Sequence, residues 1–157
     1  MNREEIISIL SKVMDPEIPV LSIADLGILR NVEVSDEKVL VQITPTYSGC
    51  PAMKTIREDI LSVLGRSGLK IVEISEVLSP AWTTDWMSEA GRNKLQAYGI
   101  AAPSKNHCRH NGDDLPDQCP HCYSRNVEMI SRFGSTACKA LFRCLDCQEP
   151  FDYFKCH

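Results

Sequence analysis

Hydrophobic and polar positions change period several times along the first hundred residues, and each change predicts an element. Ile6, Ile7, Leu10, Val13 and Met14 recur at the spacing of one helical face. Asn2 precedes them, with Glu5 three residues further on, which is a helix-start signature. Asp15-Pro16 is the expected stop, because a residue before proline avoids the α region. Pro16 to Ala24 reads as a loop. Alternation then takes over: Val32 and Val34 flank Glu33, residues 35–38 turn the chain, and Val39, Val41 and Ile43 alternate with Leu40 and Gln42. Pro45 to Pro51 is a loop. Met53, Ile56, Ile60, Val63 and Leu64 restore the helical period, closed by Gly65 or Gly68. Lys70 to Leu78 predicts a third strand, with Val72 and Ile74 opposite Glu73 and Ser75. Thr84 to Tyr98 predicts a last helix, weakened by Gly91. The order helix, hairpin, helix, strand specifies a small two-layer α/β (α+β) domain.

Punctuation replaces periodicity from Gly99 to Gln118, where Ala-Ala-Pro, Ser, Asn and Asp-Asp read as a linker. The boundary falls near Pro103. The chain therefore divides into an α/β domain at 1–102, a linker at 103–118 and a small module at 119–157. The module is too short for a large core, so a metal is expected to supply part of its stability.

Composition narrows the function classes. The 157 residues are 43% hydrophobic and 24% charged. No apolar run reaches the roughly 18 residues of a membrane span. The acidic start, Met1 to Glu5, does not resemble a signal peptide, so a cytoplasmic location is expected. There thiols stay reduced, and paired cysteines read as metal ligands before disulfides. The formal net charge is -4; residues 1–100 hold ten Lys/Arg and fourteen Asp/Glu, and residues 101–157 hold seven of each. Neither part offers a basic face, which argues against a ribbon that binds nucleic acid.

The eight cysteines carry the candidate chemistry. Cys119-Pro-His-Cys122 and Cys144-Leu-Asp-Cys147 are two knuckles, each able to present two thiolates to one ion. Val127–Ile130 and Ala140–Arg143 are the expected strands between them. Four thiolates suit a closed, structural zinc site; the rival occupant is an iron–sulfur cluster. Cys108, Cys138 and Cys156, with His107, His110 and His157, leave a second, labile metal site open. Cys50 stands apart, in Ser48-Gly49-Cys50-Pro51. If Pro51 is the first helical residue, Cys50 is the N-cap, where backbone N–H groups and the helix dipole favour thiolate. The competing reading is a small buried cysteine in the strand–helix corner. Asp15 poses a similar choice between capping the turn at Pro16 and, with Glu17, orienting a metal or the thiol.

The runs Asp15-Pro16-Glu17-Ile18-Pro19, Asp25-Leu26-Gly27 and Thr44-Pro45-Thr46-Tyr47-Ser48-Gly49-Cys50-Pro51 resemble the MIP18 (DUF59) family, whose members are iron–sulfur protein maturation factors. Ser79-Pro80-Ala81-Trp82-Thr83-Thr84-Asp85-Trp86-Met87-Ser88-Glu89, Tyr98-Gly99-Ile100 and the cysteine-rich tail are similar to its PaaD-type (PaaJ-type) branch, which adds a zinc ribbon. The resemblance implies that Asp15 and Glu17 are the family's acidic motif and Cys50 its reactive cysteine. It implies an accessory, noncatalytic role beside phenylacetyl-CoA epoxidase in aerobic phenylacetate catabolism. That multicomponent monooxygenase has a di-iron oxygenase and a reductase with flavin and a plant-type [2Fe–2S] cluster. This chain has no Glu-x-x-His pair for di-iron, no Gly-rich dinucleotide fingerprint and no plant-type cysteine run. The expected role is maturation of the reductase's cluster, with Cys50 as a transient ligand and structural zinc in the ribbon. The alternative is a noncatalytic structural subunit, held by the ribbon and by Trp82 and Trp86. Neither nucleic acid nor a membrane is an expected partner; a homodimer is left open.

Overall fold

The structure, a computed structural model, describes residues 1–36, 38–103 and 115–156. The chain divides into two compact units, Met1–Ser88 and Glu89–His157.

In the first unit, helix α1 (Arg3–Leu10) starts at the expected capping box: the Glu5 N–H donates to Asn2 Oδ1 at 2.9 Å, and the Asn2 N–H donates to Glu5 Oε2 at 2.8 Å. The helix ends four residues before Met14. Beyond Leu10 the chain is drawn into pairing with the next loop, through Asp15 N–H to Leu21 O at 2.8 Å, Ile23 N–H to Val13 O at 2.9 Å and a Met14–Ser22 bridge. Strands β1 (Leu29–Val34) and β2 (Lys38–Ile43) form the expected antiparallel hairpin, with Val32 opposite Val41. Helix α2 (Ala52–Arg66) buries Met53, Ile56, Ile60 and Leu64 and stops before Gly68, whose φ is +88°. It is the crossover to β3 (Ile71–Glu76), which runs parallel to β2. The sheet order is β1-β2-β3, and Val39, Val41 and Ile43 send alternate side chains into the core with Ile6, Leu10, Ile56 and Ile60. The β2–α2 loop therefore sits at the carboxyl end of a parallel strand pair and runs into a helix amino terminus.

The single helix expected at Thr84–Tyr98 is broken. A 3-10 turn at Thr84–Trp86 gives way to extended backbone at Met87, whose ψ is 137°, and helix α3 (Glu89–Tyr98) begins only in the second unit. The break follows from Ser88, whose N–H donates to the Asp25 carbonyl at 2.8 Å and whose hydroxyl donates to the Asp25 carboxylate at 3.2 Å.

The second unit starts ahead of the boundary read near Pro103. Ile100–Ala101 forms a short strand, β4, parallel to β7 (Pro150–Phe154). Strands β5 (Val127–Ser131) and β6 (Lys139–Cys144) lie where the sequence placed them, and β6 pairs antiparallel with both β5 and β7. The sheet order is β4-β7-β6-β5. Its core is larger than the tail alone suggested: Phe142 packs edge-on to Tyr153 at 5.6 Å between ring centres and stacks on Phe151 at 6.0 Å, against Ala101, Ala140, Cys119 and Cys144. Cys119 and Cys144 thus belong at once to the core and to the metal knuckles.

Candidate functional site

The β2–α2 loop closes as a turn over Tyr47–Cys50, with the Cys50 N–H donating to Tyr47 O at 3.2 Å. Gly49 sits at φ +77°, the third-position geometry of a type II turn, and a Cβ there would meet nothing within 4 Å. That side of the turn is open. Helix α2 begins at Ala52 with Pro51 as its cap residue, so Cys50 lies one position further out than expected. The consequence for its chemistry is a reversal. Burial pushes the Cys50 thiol above its ordinary value of 9.0; the Ala52 N–H opposes this, the nearby negative charge of Glu17 adds to it, and the Thr46 and Tyr47 hydroxyls oppose it. Cys50 is half-buried and its thiol is held toward the neutral form, not partly ionised as its supposed cap position implied.

Asp15 and Glu17 take different parts. The buried Asp15 carboxylate accepts the Glu17 and Ile18 N–H groups through Oδ1, each at 2.8 Å. It is an Asx-type brace of the Pro16 turn, the commoner use of Asp-Pro. That brace fixes the backbone of Glu17, whose side chain is half-exposed and whose charge reaches the Cys50 sulfur. The site that forms is a sulfur, a carboxylate and two hydroxyls at the carboxyl end of β2.

In the second unit, the Sγ atoms of Cys119, Cys122, Cys144 and Cys147 all lie within 4.8 Å of one another. Cys119 and Cys147 are 3.8 Å apart and Cys122 and Cys144 3.5 Å apart. A tetrahedron of thiolates at about 2.3 Å from one ion has edges of about 3.8 Å, so the four sulfurs fit a single closed site. Each knuckle supports a sulfur with its own backbone: His121 N–H points to Cys119 Sγ at 3.4 Å and Cys147 N–H to Cys144 Sγ at 3.5 Å. The bond from Cys147 is the main reason the Cys144 thiol is lowered to about 7, toward the thiolate a metal requires. Tyr123 and Gln148, each directly after a knuckle, adopt φ of 65° to complete the turns.

Comparison with known proteins matches both halves of this description. Residues 3–75 match the "Iron-sulfur cluster assembly protein" family and residues 103–155 the "PaaD zinc beta ribbon domain" family. The chain is 49% identical, over 97% of its length and 92% of the relative's, to a protein of Escherichia coli (strain K12) named as a component of 1,2-phenylacetyl-CoA epoxidase. The chain belongs to the PaaD branch of the MIP18 (DUF59) iron–sulfur cluster assembly family. It is also 43% identical, over 59% of its length and 89% of the relative's, to an Fe-S protein maturation auxiliary factor of Porphyromonas gingivalis (strain ATCC BAA-308 / W83). Among solved structures, a DUF59 domain from Bacillus anthracis aligns with a TM-score of 0.56 at 26% identity, covering 59% of this chain and 90% of that one.

Within this PaaD-branch chain, the remaining candidates fall into place. Among the described residues, Cys119, Cys122, Cys144 and Cys147 form the metal-competent cluster. Cys138 is buried, with Thr136 Oγ1 3.0 Å from its sulfur, and Cys156 is disulfide-bonded, so neither joins it. Cys108, His107, His110 and His157 lie outside the described residues. Among the described residues no helix is long and apolar enough to cross a membrane. Trp82 and Trp86 do not share a helical face. Trp82 is buried and donates Nε1–H to Leu26 O at 2.8 Å, while Trp86 carries the Arg30 guanidinium 3.6 Å above its ring.

Sequence reasoning passed over Asp25 as a structural node. Its Oδ2 accepts from the Ser22 N–H at 3.1 Å and the Ser22 hydroxyl at 2.9 Å, while Oδ1 accepts from Ser88. Thr46 and Tyr47 were likewise missed as partners of the thiol. The signal was present but not selective, since three hydroxyl residues, Thr46, Tyr47 and Ser48, lie within four positions of Cys50 and only the first two act on its sulfur.

Proposed function

We propose that this chain is an accessory maturation factor that helps insert or protect the iron–sulfur cluster of the reductase serving phenylacetyl-CoA epoxidase. The observation that carries the reading is the pairing of Cys50 with Glu17 beside an open turn, at the end of β2 and the start of α2. A thiol and a carboxylate there suit brief ligation of an iron centre that arrives and leaves. Cys50 would hold the cargo, Glu17 would assist, and Asp15 would keep Glu17 in place. The four-cysteine ribbon would hold structural zinc and serve as the docking surface for the epoxidase components, chiefly the reductase. Similarity to relatives named for Fe-S protein maturation supports the general role, and similarity to a relative named for the epoxidase supports the pathway.

The name of the Escherichia coli relative also favours a second reading, a noncatalytic structural subunit of the epoxidase complex. The discriminating experiment is the iron and sulfide content of reductase from cells lacking this protein. Maturation requires cluster-poor reductase that keeps its flavin. A full cluster complement refutes maturation and leaves the structural subunit standing.

A further inference from the structure

One side chain ties the two knuckles of the second unit to each other. Asp146 lies inside the second knuckle, between Cys144 and Cys147, and both of its carboxylate oxygens accept from the flank of the first. Its Oδ2 accepts the Ser124 hydroxyl, and its Oδ1 accepts Asn126 Nδ2–H at 3.2 Å. These donors are held in turn: Ser124 Oγ accepts the Asn126 N–H at 3.0 Å, and Ser124 O accepts the Cys119 N–H at 2.8 Å. A backbone bond, Leu145 N–H to Asn126 O at 2.8 Å, runs alongside. The carboxylate therefore crosses the same gap as two short sulfur contacts, Cys119–Cys147 at 3.8 Å and Cys122–Cys144 at 3.5 Å, each of which joins one knuckle to the other. The width of that gap decides which occupant fits. A single ion needs all four sulfurs close together. In a [2Fe–2S] cluster four cysteines are shared between two irons held apart by bridging sulfide. Each Cys-x-x-Cys turn presents its two sulfurs to one metal atom, so a two-iron cluster forces the knuckles apart.

We propose that Asp146 is a specificity-determining residue of the four-cysteine site: its carboxylate latches knuckle to knuckle at the spacing of a single ion and so excludes a two-iron cluster. The ligand class the site accepts is one tetrahedral divalent ion. The class it refuses is the iron–sulfide unit, which the proposed cargo site must handle in the same chain. Hydrogen bonds to a carboxylate are stronger than those between neutral groups, which suits Asp146 to this task. The inference rests on the reading above only for zinc in the ribbon.

The test uses the full chain carrying Cys50→Ala, which removes the proposed cargo thiol, as the parent. To it are added Asp146→Ala, Ser124→Ala, and Arg125→Ala as an exposed control in the same loop. In the first arm each zinc-loaded protein is mixed with a zinc chelator. Asp146→Ala is expected to release zinc about tenfold faster than the parent, the lower end of what groups supporting metal ligands contribute. In the second arm each metal-free protein is reconstituted without oxygen from ferrous iron and sulfide, and acid-labile sulfide per chain and the visible spectrum are read. The parent and Arg125→Ala are expected to bind iron without sulfide, and Asp146→Ala to take up sulfide and show cluster absorption. Ser124→Ala removes one of the two donors and is expected to shift both readouts the same way; it decides by itself if Asp146→Ala fails to fold. Leu141→Ala, in β6 away from the knuckles, is expected to lower melting while still excluding sulfide. Sulfide in Leu141→Ala would assign the exclusion to general stability and overturn the proposal. Zinc release at the parent's rate, or sulfide excluded by Asp146→Ala as completely as by the parent, overturns the proposal and leaves the zinc reading intact. Sulfide taken up equally by the parent and by Arg125→Ala overturns both together.

Discussion

A Cβ built on Gly27 would stand 2.5 Å from the Trp86 carbonyl oxygen, closer than any real contact of that kind. Gly27 also has a φ of +74°. The Asp25-Leu26-Gly27 turn and the segment around Trp86 therefore touch backbone to backbone, and a carbonyl cannot swing aside as a side-chain tip can. Gly27→Ala is expected to cost about 2–4 kcal/mol, the left-handed strain plus the overpacking. Gly49 has a similar φ of +77° but open space around it. Gly49→Ala is expected to cost only about 1–2 kcal/mol, the strain alone. Urea unfolding of the two variants checks the ordering, and equal losses would show that the contact with Trp86 carries no weight.

Metal at the four cysteines is expected to be one zinc per chain. Cys122→Ser removes one corner of the tetrahedron, and the remaining three ligands bind far more weakly. Zinc content should fall well below one per chain, and the β5–β7 sheet should lose its amide-exchange protection because Cys119 and Cys144 are also core residues. The β1–β3 sheet should keep its protection. Retention of stoichiometric zinc in Cys122→Ser contradicts the assignment.

The knuckle turns contain a stabilising substitution. Tyr123 is 63% exposed at φ 65°. Glycine there is expected to raise stability by about 1 kcal/mol by relieving the left-handed strain. Gln148 has the same φ, yet its Nε2 donates to Leu145 O at 2.7 Å, so Gln148→Gly should gain less. Thermal melting of the zinc-loaded proteins compares them directly.

What was legible in the sequence was whatever depends on near neighbours. The Asn2–Glu5 box, the β1–β2 hairpin, the buried face of α2 and the spacing of the two knuckles are all local, and all appear. What was not legible depends on pairing that no periodic pattern announces, some of it between residues far apart in the chain. Helix α1 stops at Leu10 because Val13 and Asp15 find partners at Ile23 and Leu21. The expected last helix breaks at Ser88 because Asp25, 63 positions earlier, holds it. Ile100 and Ala101 look like the start of a linker until β7 returns to pair with them. At Cys50 the local rule gave the wrong sign: an exposed helix cap favours thiolate, but burial and the charge of Glu17 outweigh the Ala52 N–H.

That sign has a pH consequence. The Cys50 thiol is raised above 9.0, first by burial and then, after the opposing Ala52 N–H, by Glu17. Its thiolate fraction, and hence its alkylation rate, should be low at pH 7 and climb beyond pH 9. Glu17→Gln removes a negative charge beside the sulfur, so the thiol should ionise at lower pH and alkylate faster at pH 8. The contribution to stability follows the same sign. A raised folded-state value makes ionisation cost stability only as pH rises past the unfolded thiol's value and through the folded one; at pH 7 to 8 the thiol is neutral in both states, so Cys50→Ala removes no ionisation effect and should leave melting nearly unchanged there. The same variant is expected to abolish support of the pathway. Alkylation of Glu17→Gln no faster than the parent would remove Glu17 from the site.

The last prediction concerns timing, the property that separates a maturation factor from a structural subunit. A factor that delivers or guards a cluster acts on the apo-protein and can then depart. A structural subunit must be present at every turnover. Cys50 ligates cargo through one thiolate in the proposed role, and a single thiolate in a half-buried turn is suited to release as much as to capture. Epoxidase assembled in the presence of this protein and then stripped of it should therefore keep nearly all of its activity. Adding Cys50→Ala protein to that stripped enzyme should change nothing, whereas adding it during assembly should fail to rescue. Activity that collapses on stripping, and returns equally with the parent or with Cys50→Ala, would assign the chain a structural place in the complex and remove Cys50 from its function.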